Sequence, residues 1–294
     1  MTVTVLDTAR GMRSVLTAKE SNRAEMLREI LRPVEGMYHY FPGEVDLVAM
    51  HTMSFGFALD ERTAETLDAL ARLEAADAWN RFGHALTAAV EIQSHATPGI
   101  AVPNIVVLLL LGDAENNYFM GPIRGFSGNG SATGYISLTV WPTEENLTRL
   151  EAAAVHELNH NLRYAPGGIV WDPATVAVGE QIVSEGLADA FARQLYGSRG
   201  YTPIGVPSLQ DDAIFEKVVS GLEVTGMQNF TAWVHGDEAT THFGGTPVGL
   251  PVGAGYAAGN RLVDAYLASA GVSAAEALHV PSRDVIDIAL QALR

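Results

Sequence analysis

The sequence contains no cysteine. That excludes a disulfide framework and every thiolate metal site, so any bound metal has to use imidazoles and carboxylates. Positive charge is scarce: 18 Lys and Arg stand against 34 Asp and Glu, for a formal net charge of -16. No basic patch is available to neutralise phosphates, which argues against nucleic acid as a partner, and an anionic membrane surface would repel the chain. Long apolar runs are missing too. The longest, residues 105–111, is too short to cross a bilayer, and Asp7, Arg10 and Arg13 interrupt residues 1–19 where a signal peptide would need its apolar core. No membrane partner and a cytoplasmic location are therefore expected. No internal repeat or low-complexity segment is evident.

What the chain does have is the composition of a soluble enzyme. It is 294 residues long, 48% hydrophobic and contains 29 Gly, enough to bury a large core in one large or two smaller domains. Residues 8–32 read as a helix closed by Pro33, and residues 61–93 as one long or two broken helices. Thr97-Pro98-Gly99 is a break, which puts a domain boundary at 99, between a helical region 1–99 and a domain 100–294. Beyond it, residues 104–111 read as a buried strand, and Ile136, Leu138 and Val140 alternate with Ser137 and Thr139 in a second strand. Helices are expected over 144–164, 176–196, 210–223, 255–270 and 283–293, with 225–254 irregular. The fold class is α+β.

The helix over 144–164 carries the most specific signal, His156-Glu157-Leu158-Asn159-His160. Thr143 is placed to cap it, and Glu144 and Glu145 suit its first turn, where the helix dipole favours acids. Leu147, Leu150, Ala154, Leu158 and Leu162 form an apolar stripe, while His156 and His160 lie on another side beside Ala152 and Ala153. Two histidines four apart sit one turn from each other and can reach one metal ion; the adjacent Glu157 can take the proton of a water on that ion.

A zinc site of this kind needs a third protein ligand. The helix over 176–196 offers Glu180, Glu185 and Asp189. Spacing from His160 favours Glu180. The local pattern Ser184-Glu185-Gly186-Leu187-Ala188-Asp189 favours Glu185, because Glu185 and Asp189 share a helical face and Glu180 points about 140° away from Glu185. Glu185 is the preferred ligand, Glu180 is read as a solvated helix residue, and Asp189 is expected to accept the spare N–H of a zinc histidine, His156 in the first instance.

The runs V-H-E-L-N-H-N-L-R-Y, V-S-E-G-L-A-D-A-F-A and G-Y-A-A-G-N-R-L-V-D-A-Y-L resemble the bacterial predicted zinc-dependent proteases of the YjaZ-like type, a domain-of-unknown-function family with a gluzincin-like signature. The resemblance covers roughly residues 100–294, and its first two blocks are its most specific. It implies a zincin-like, thermolysin-like catalytic domain with a small β-sheet, zinc held by His156, His160 and Glu185, Glu157 as the base, and a peptide or protein as substrate. In that class an extended peptide pairs with an edge strand upstream of the zinc helix; residues 117–126 are the candidate, equally readable as a surface loop. The class also uses a Tyr or His from the C-terminal part to stabilise the oxyanion. Tyr256 is the first choice, with His242 and His235 as alternatives. Two other readings share the same zinc chemistry: a metal-binding regulatory or scaffold protein of this fold with little turnover, and a zinc hydrolase of non-peptide amides or esters.

Overall fold

A computed structural model describes residues 2–40, 43–60 and 62–294. In chain order the elements are β1 (Val3–Val5), α1 (Thr8–Thr17), α2 (Glu20–Leu31), a 3-10 segment (Arg32–Tyr38), α3 (Leu47–Met53), α4 (Thr63–Ala75), α5 (Ala78–Ala96), β2 (Ile105–Leu111), α6 (Asn117–Met120), β3 (Phe126–Asn129), β4 (Tyr135–Val140), α7 (Glu144–Arg163), α8 (Val178–Tyr196), α9 (Asp212–Val219), a π-helical turn (Thr231–His235), α10 (Asp237–His242), α11 (Ala254–Ala270) and α12 (Ser282–Ala292). The fold is mixed and mostly helical, with one four-stranded sheet. No helix among the described residues is long and apolar enough to cross a membrane.

The chain forms two compact units, Met1–Ala89 with Val102–Glu157, and Val90–Ala101 with Leu158–Arg294. The sheet belongs to the first, in the order β1-β2-β4-β3. β2 is central, parallel to β1 on one side and to β4 on the other. That explains its unbroken run of Val, Leu and Ile: a strand between parallel neighbours is covered on both faces, and Ile105, Val107, Leu109 and Leu111 are fully buried. β3 pairs antiparallel with β4 from Phe126–Val140 to Asn129–Ser137 and forms an edge of the sheet. In the second unit α11 packs on α8 and α12. Gly186 of α8 and Gly259 of α11 meet there: a Cβ on Gly186 would collide with the Gly259 carbonyl, and one on Gly259 with the Ile182 carbonyl. Two side-chain-free positions let the helix backbones approach closely.

Three expectations are corrected. Residues 8–32 are two helices, because Ala18 is extended (ψ 164) and ends α1. The N-terminal stretch is not wholly helical, since β1 joins the sheet beside β2. Residues 117–126 are not an edge strand: the Asn116 side chain accepts from Phe119 N at 2.9 Å and caps the short α6, and the edge strand begins only at Phe126.

His51 shows how tightly the first unit closes. Segment 55–57 bonds to the end of β2, through Phe57 N to Leu111 O and Asp113 N to Phe55 O. The His51 ring lies over Gly56, where a Cβ would collide with it. Its Nε2 donates to Phe57 O at 2.9 Å and its Nδ1 is buried without a partner. Burial pushes this imidazole down to about 4, against the opposing pull of the Phe57 carbonyl and the Asp113 charge. The folded state therefore prefers neutral His51. The resulting stability is complete above the unfolded value near 6.5 and is lost as pH falls towards 4, by about 3 kcal/mol. Urea unfolding at pH 7 and pH 4 should show wild type losing about that much more than His51→Gln over the interval; equal losses would mean that His51 protonates freely in the fold.

Candidate metal centre

α7 begins as its sequence directs. Thr143 Oγ1 accepts from Asn146 N at 3.1 Å, and Glu144 and Glu145 occupy the first turn. Along the helix Leu150, Ala154, Leu158 and Leu162 are fully buried, and Leu147 is half-buried. The apolar stripe is not the only covered face, however. His156, Glu157, Asn159, His160, Asn161 and Arg163 are buried as well, so the C-terminal half of α7 is enclosed all round.

Glu157 stands under the edge strand. A Cβ on Gly128 would collide with Glu157 Oε1, and one on Gly130 with the Glu157 carbonyl. The glycines of the run Gly128-Asn129-Gly130 therefore permit the approach of β3 to this carboxylate.

α8 starts without a side-chain cap. Its first N–H groups are taken by main-chain carbonyls instead, Val178 N by Val224 O and Gly179 N by Leu222 O. Every residue from Val178 to Ala192 is buried. The two candidate glutamates on it have different surroundings. Glu180 makes a bidentate pair with Arg163, Nε to Oε1 at 2.8 Å and Nη2 to Oε2 at 2.9 Å, and accepts from Tyr164 Oη at 3.1 Å. It is not solvated, as its helical phase alone implied, but sealed in an ion pair. Arg163 also donates to the carbonyls of Leu278 (2.6 Å) and Val280 (3.2 Å). Glu185 instead lies with its Oε2 3.4 Å from His160 Nε2. His156, His160 and Glu185, all buried, each offer a ligand atom within 4.8 Å of the others, a group able to hold a metal ion.

Around these residues the orientation is set by hydrogen bonds. His160 Nδ1 lies 2.9 Å from Ser184 Oγ, while its Nε2 faces Glu185. The Tyr164 phenol is held well above its ordinary value, first by burial and then by the Glu180 charge. Asp189 is fully buried and accepts from Thr202 N (2.9 Å), Thr202 Oγ1 (2.7 Å) and Asn260 Nδ2 (2.7 Å). Nothing in the sequence pattern singled out Arg163, Ser184 or Thr202. Two of them flank motif residues directly, Ser184 before Glu185 and Arg163 three residues after His160.

The three oxyanion candidates separate. His235 ends the π-helical turn, and its ring lies 5.8 Å from the Tyr256 ring and edge-on to Phe230 at 4.9 Å. Burial lowers its basicity, and the Glu185 carboxylate opposes the shift. Tyr256 is buried in the first turn of α11. His242 is exposed on α10, its ring against Phe243.

Comparison with known proteins agrees with the motif. A family model described as "Predicted Zn-dependent protease (DUF2268)" matches residues 79–287. The uncharacterized protein YjfC of Bacillus subtilis (strain 168) is 29% identical over 165 residues, 55% of this chain and 54% of YjfC, so the chain spans about half the length of the curated relative it matches. No solved structure matches.

The different surroundings of the two glutamates predict different failures. Glu185→Ala should bind zinc far more weakly while keeping the fold. Glu180→Ala strands Arg163 as a buried, uncompensated charge and should lose about 3–5 kcal/mol of stability. A zinc titration and a urea denaturation of both variants check this; weak zinc binding in folded Glu180→Ala with normal binding in Glu185→Ala would reverse the assignment.

Proposed function

The chain belongs to the predicted Zn-dependent protease family, and we propose that it is a zinc peptidase of the HExxH-plus-glutamate type, with a zincin-like catalytic region over 100–294. The convergence of His156, His160 and Glu185 in one buried group carries this reading. Two imidazoles and one carboxylate are the donor set of an open catalytic zinc site, in which a fourth position stays available. Bound there, zinc supplies positive charge that polarises a carbonyl and makes a water more acidic.

This chain's residues do the rest. Glu157 is the general base: it takes the proton of the attacking water and can return it to the leaving amine. Its carboxylate lies against Gly128 in edge strand β3. A peptide added to the free side of β3 through main-chain hydrogen bonds would run past that carboxylate, which favours an extended peptide over a small amide or ester as substrate. Tyr256 donates a hydrogen bond to the developing oxyanion, and the neighbouring His235 is the second donor to consider. Asp189 orients a zinc histidine while tied to Thr202 and Asn260.

Two measurements test the proposal. Purified protein should carry about one zinc per chain, and Glu157→Gln should keep the metal and the fold yet lose at least ~100-fold in turnover of a peptide found by library digestion. Undiminished cleavage by Glu157→Gln, or folded protein that takes up no zinc, would contradict it. Tyr256→Phe should lower kcat by about 100-fold with little change in KM, since the hydroxyl serves the transition state; an unchanged kcat would pass the oxyanion role to His235.

A further inference from the structure

Arg163 is fully buried, and its guanidinium makes four hydrogen bonds. Nε and Nη2 take both oxygens of Glu180 on α8, and Nη1 takes the carbonyls of Leu278 and Val280. The residue between those two carbonyls bonds the same end of α7 again: His279 Nε2 donates to Leu162 O at 2.9 Å. Gly168 leaves room for this, since a Cβ there would collide with His279 Nε2 and the Arg163 carbonyl. The segment leads directly into α12, which packs on α8 and α11. One guanidinium thus joins α7, α8 and the lead-in to α12.

These contacts decide which way α8 faces. From His160 to Arg163 is three residues along α7; their partners, Ser184 and Glu180, are four residues apart along α8. Each step is close to one helical turn, so the two contacts together hold both the height and the rotation of α8. Glu185, next to Ser184, then stands with its Oε2 3.4 Å from His160 Nε2. A slip of one residue would shift α8 by about 1.5 Å and turn it by about 100°, which takes that carboxylate off His160. The bond from His160 to Ser184 is a single point about which α8 could pivot. The pair with Glu180 is the second point, and its two-pronged geometry belongs to the planar fork of arginine, which the single ammonium of lysine lacks.

From this geometry we infer that Arg163 is a positioning residue for the metal centre. Braced against the 278–280 segment, it holds Glu180 so that Glu185 meets His160 in the metal-free protein. Net attraction is not its contribution, since a buried ion pair gains little over packed apolar side chains. The inference rests on the proposed zinc site for its effect on affinity; the facing of His160 and Glu185 does not depend on that reading.

The test compares wild type with Arg163→Lys, which keeps the charge and loses the fork, and with the apolar pair Arg163→Met/Glu180→Leu. Urea unfolding gives stability, zinc competition against a chromophoric chelator gives affinity, and the nuclear Overhauser contact between the His160 ring and the Glu185 side chain reports their facing without metal. The apolar pair should unfold at a urea concentration equal to or above that of wild type, yet bind zinc about 10–100-fold more weakly and lose the contact. Arg163→Lys should bind zinc about 10-fold more weakly while folded. A merely structural role predicts the opposite: affinity returns wherever stability does. Wild-type zinc affinity in either folded variant therefore overturns the inference, and Arg163→Lys decides alone if the apolar pair does not fold. If wild type takes no zinc, the zinc site falls and the contact decides: its loss in the variants upholds the positioning role, and its persistence overturns it.

Discussion

A single helix can aim two imidazoles at one point, but it cannot supply a third ligand there without unwinding. The centre of this protein therefore depends on what fixes α8 against the C-terminal end of α7. Two contacts do so. Arg163, one turn past the motif, grips Glu180 with both arms, and His160 meets Ser184 one helical turn further along α8. Together they set the register in which Glu185, and not Glu180, stands at His160 Nε2.

The ion pair is an expensive way to hold two helices. A buried pair gains little over well-packed apolar side chains, since desolvation of both charges offsets most of the attraction. What it adds here is direction. Its geometry is bidentate, both Nη1 hydrogens go to the Leu278 and Val280 carbonyls, and the carboxylate still has capacity for Tyr164. A hydrophobic contact at the same place would let α8 slide or rotate by a fraction of a turn. On the opposite face of α8 the close contact of Gly186 with Gly259 limits the same motion sterically.

Much of this was legible in the sequence, and the exceptions have physical causes. The cap at Thr143, the span of α7 and the preference for Glu185 follow from local rules that act within one or two turns. The fate of Glu180 does not: helical phase says which way a side chain points but not what covers it, and α8 is covered on every side from Val178 to Ala192. The α+β class was readable from β2 and β4, whose apolar runs are long. β1 has three residues and gains its identity by pairing with Ile105–Val107, about a hundred residues away, which no local pattern records. Residues 117–126 read equally as an edge strand or a surface loop, yet the Asn116 cap, a turn-forming signal visible in the sequence, starts a short helix there. The approach of β3 to Glu157 could be seen only once the strand was in place, although the glycines at 128 and 130 are its trace in the sequence.

The central claim is that one zinc ion sits among His156, His160 and Glu185. The most direct test is an anomalous-difference map at the zinc absorption edge from crystals of the zinc-loaded protein. The account predicts one strong peak per chain, at coordination distance of about 2.0–2.2 Å from Nε2 of His160, a ring nitrogen of His156 and a Glu185 carboxylate oxygen, with Glu180 still paired to Arg163. A peak ligated by Glu180, or zinc bound elsewhere with these three residues bare, would contradict it.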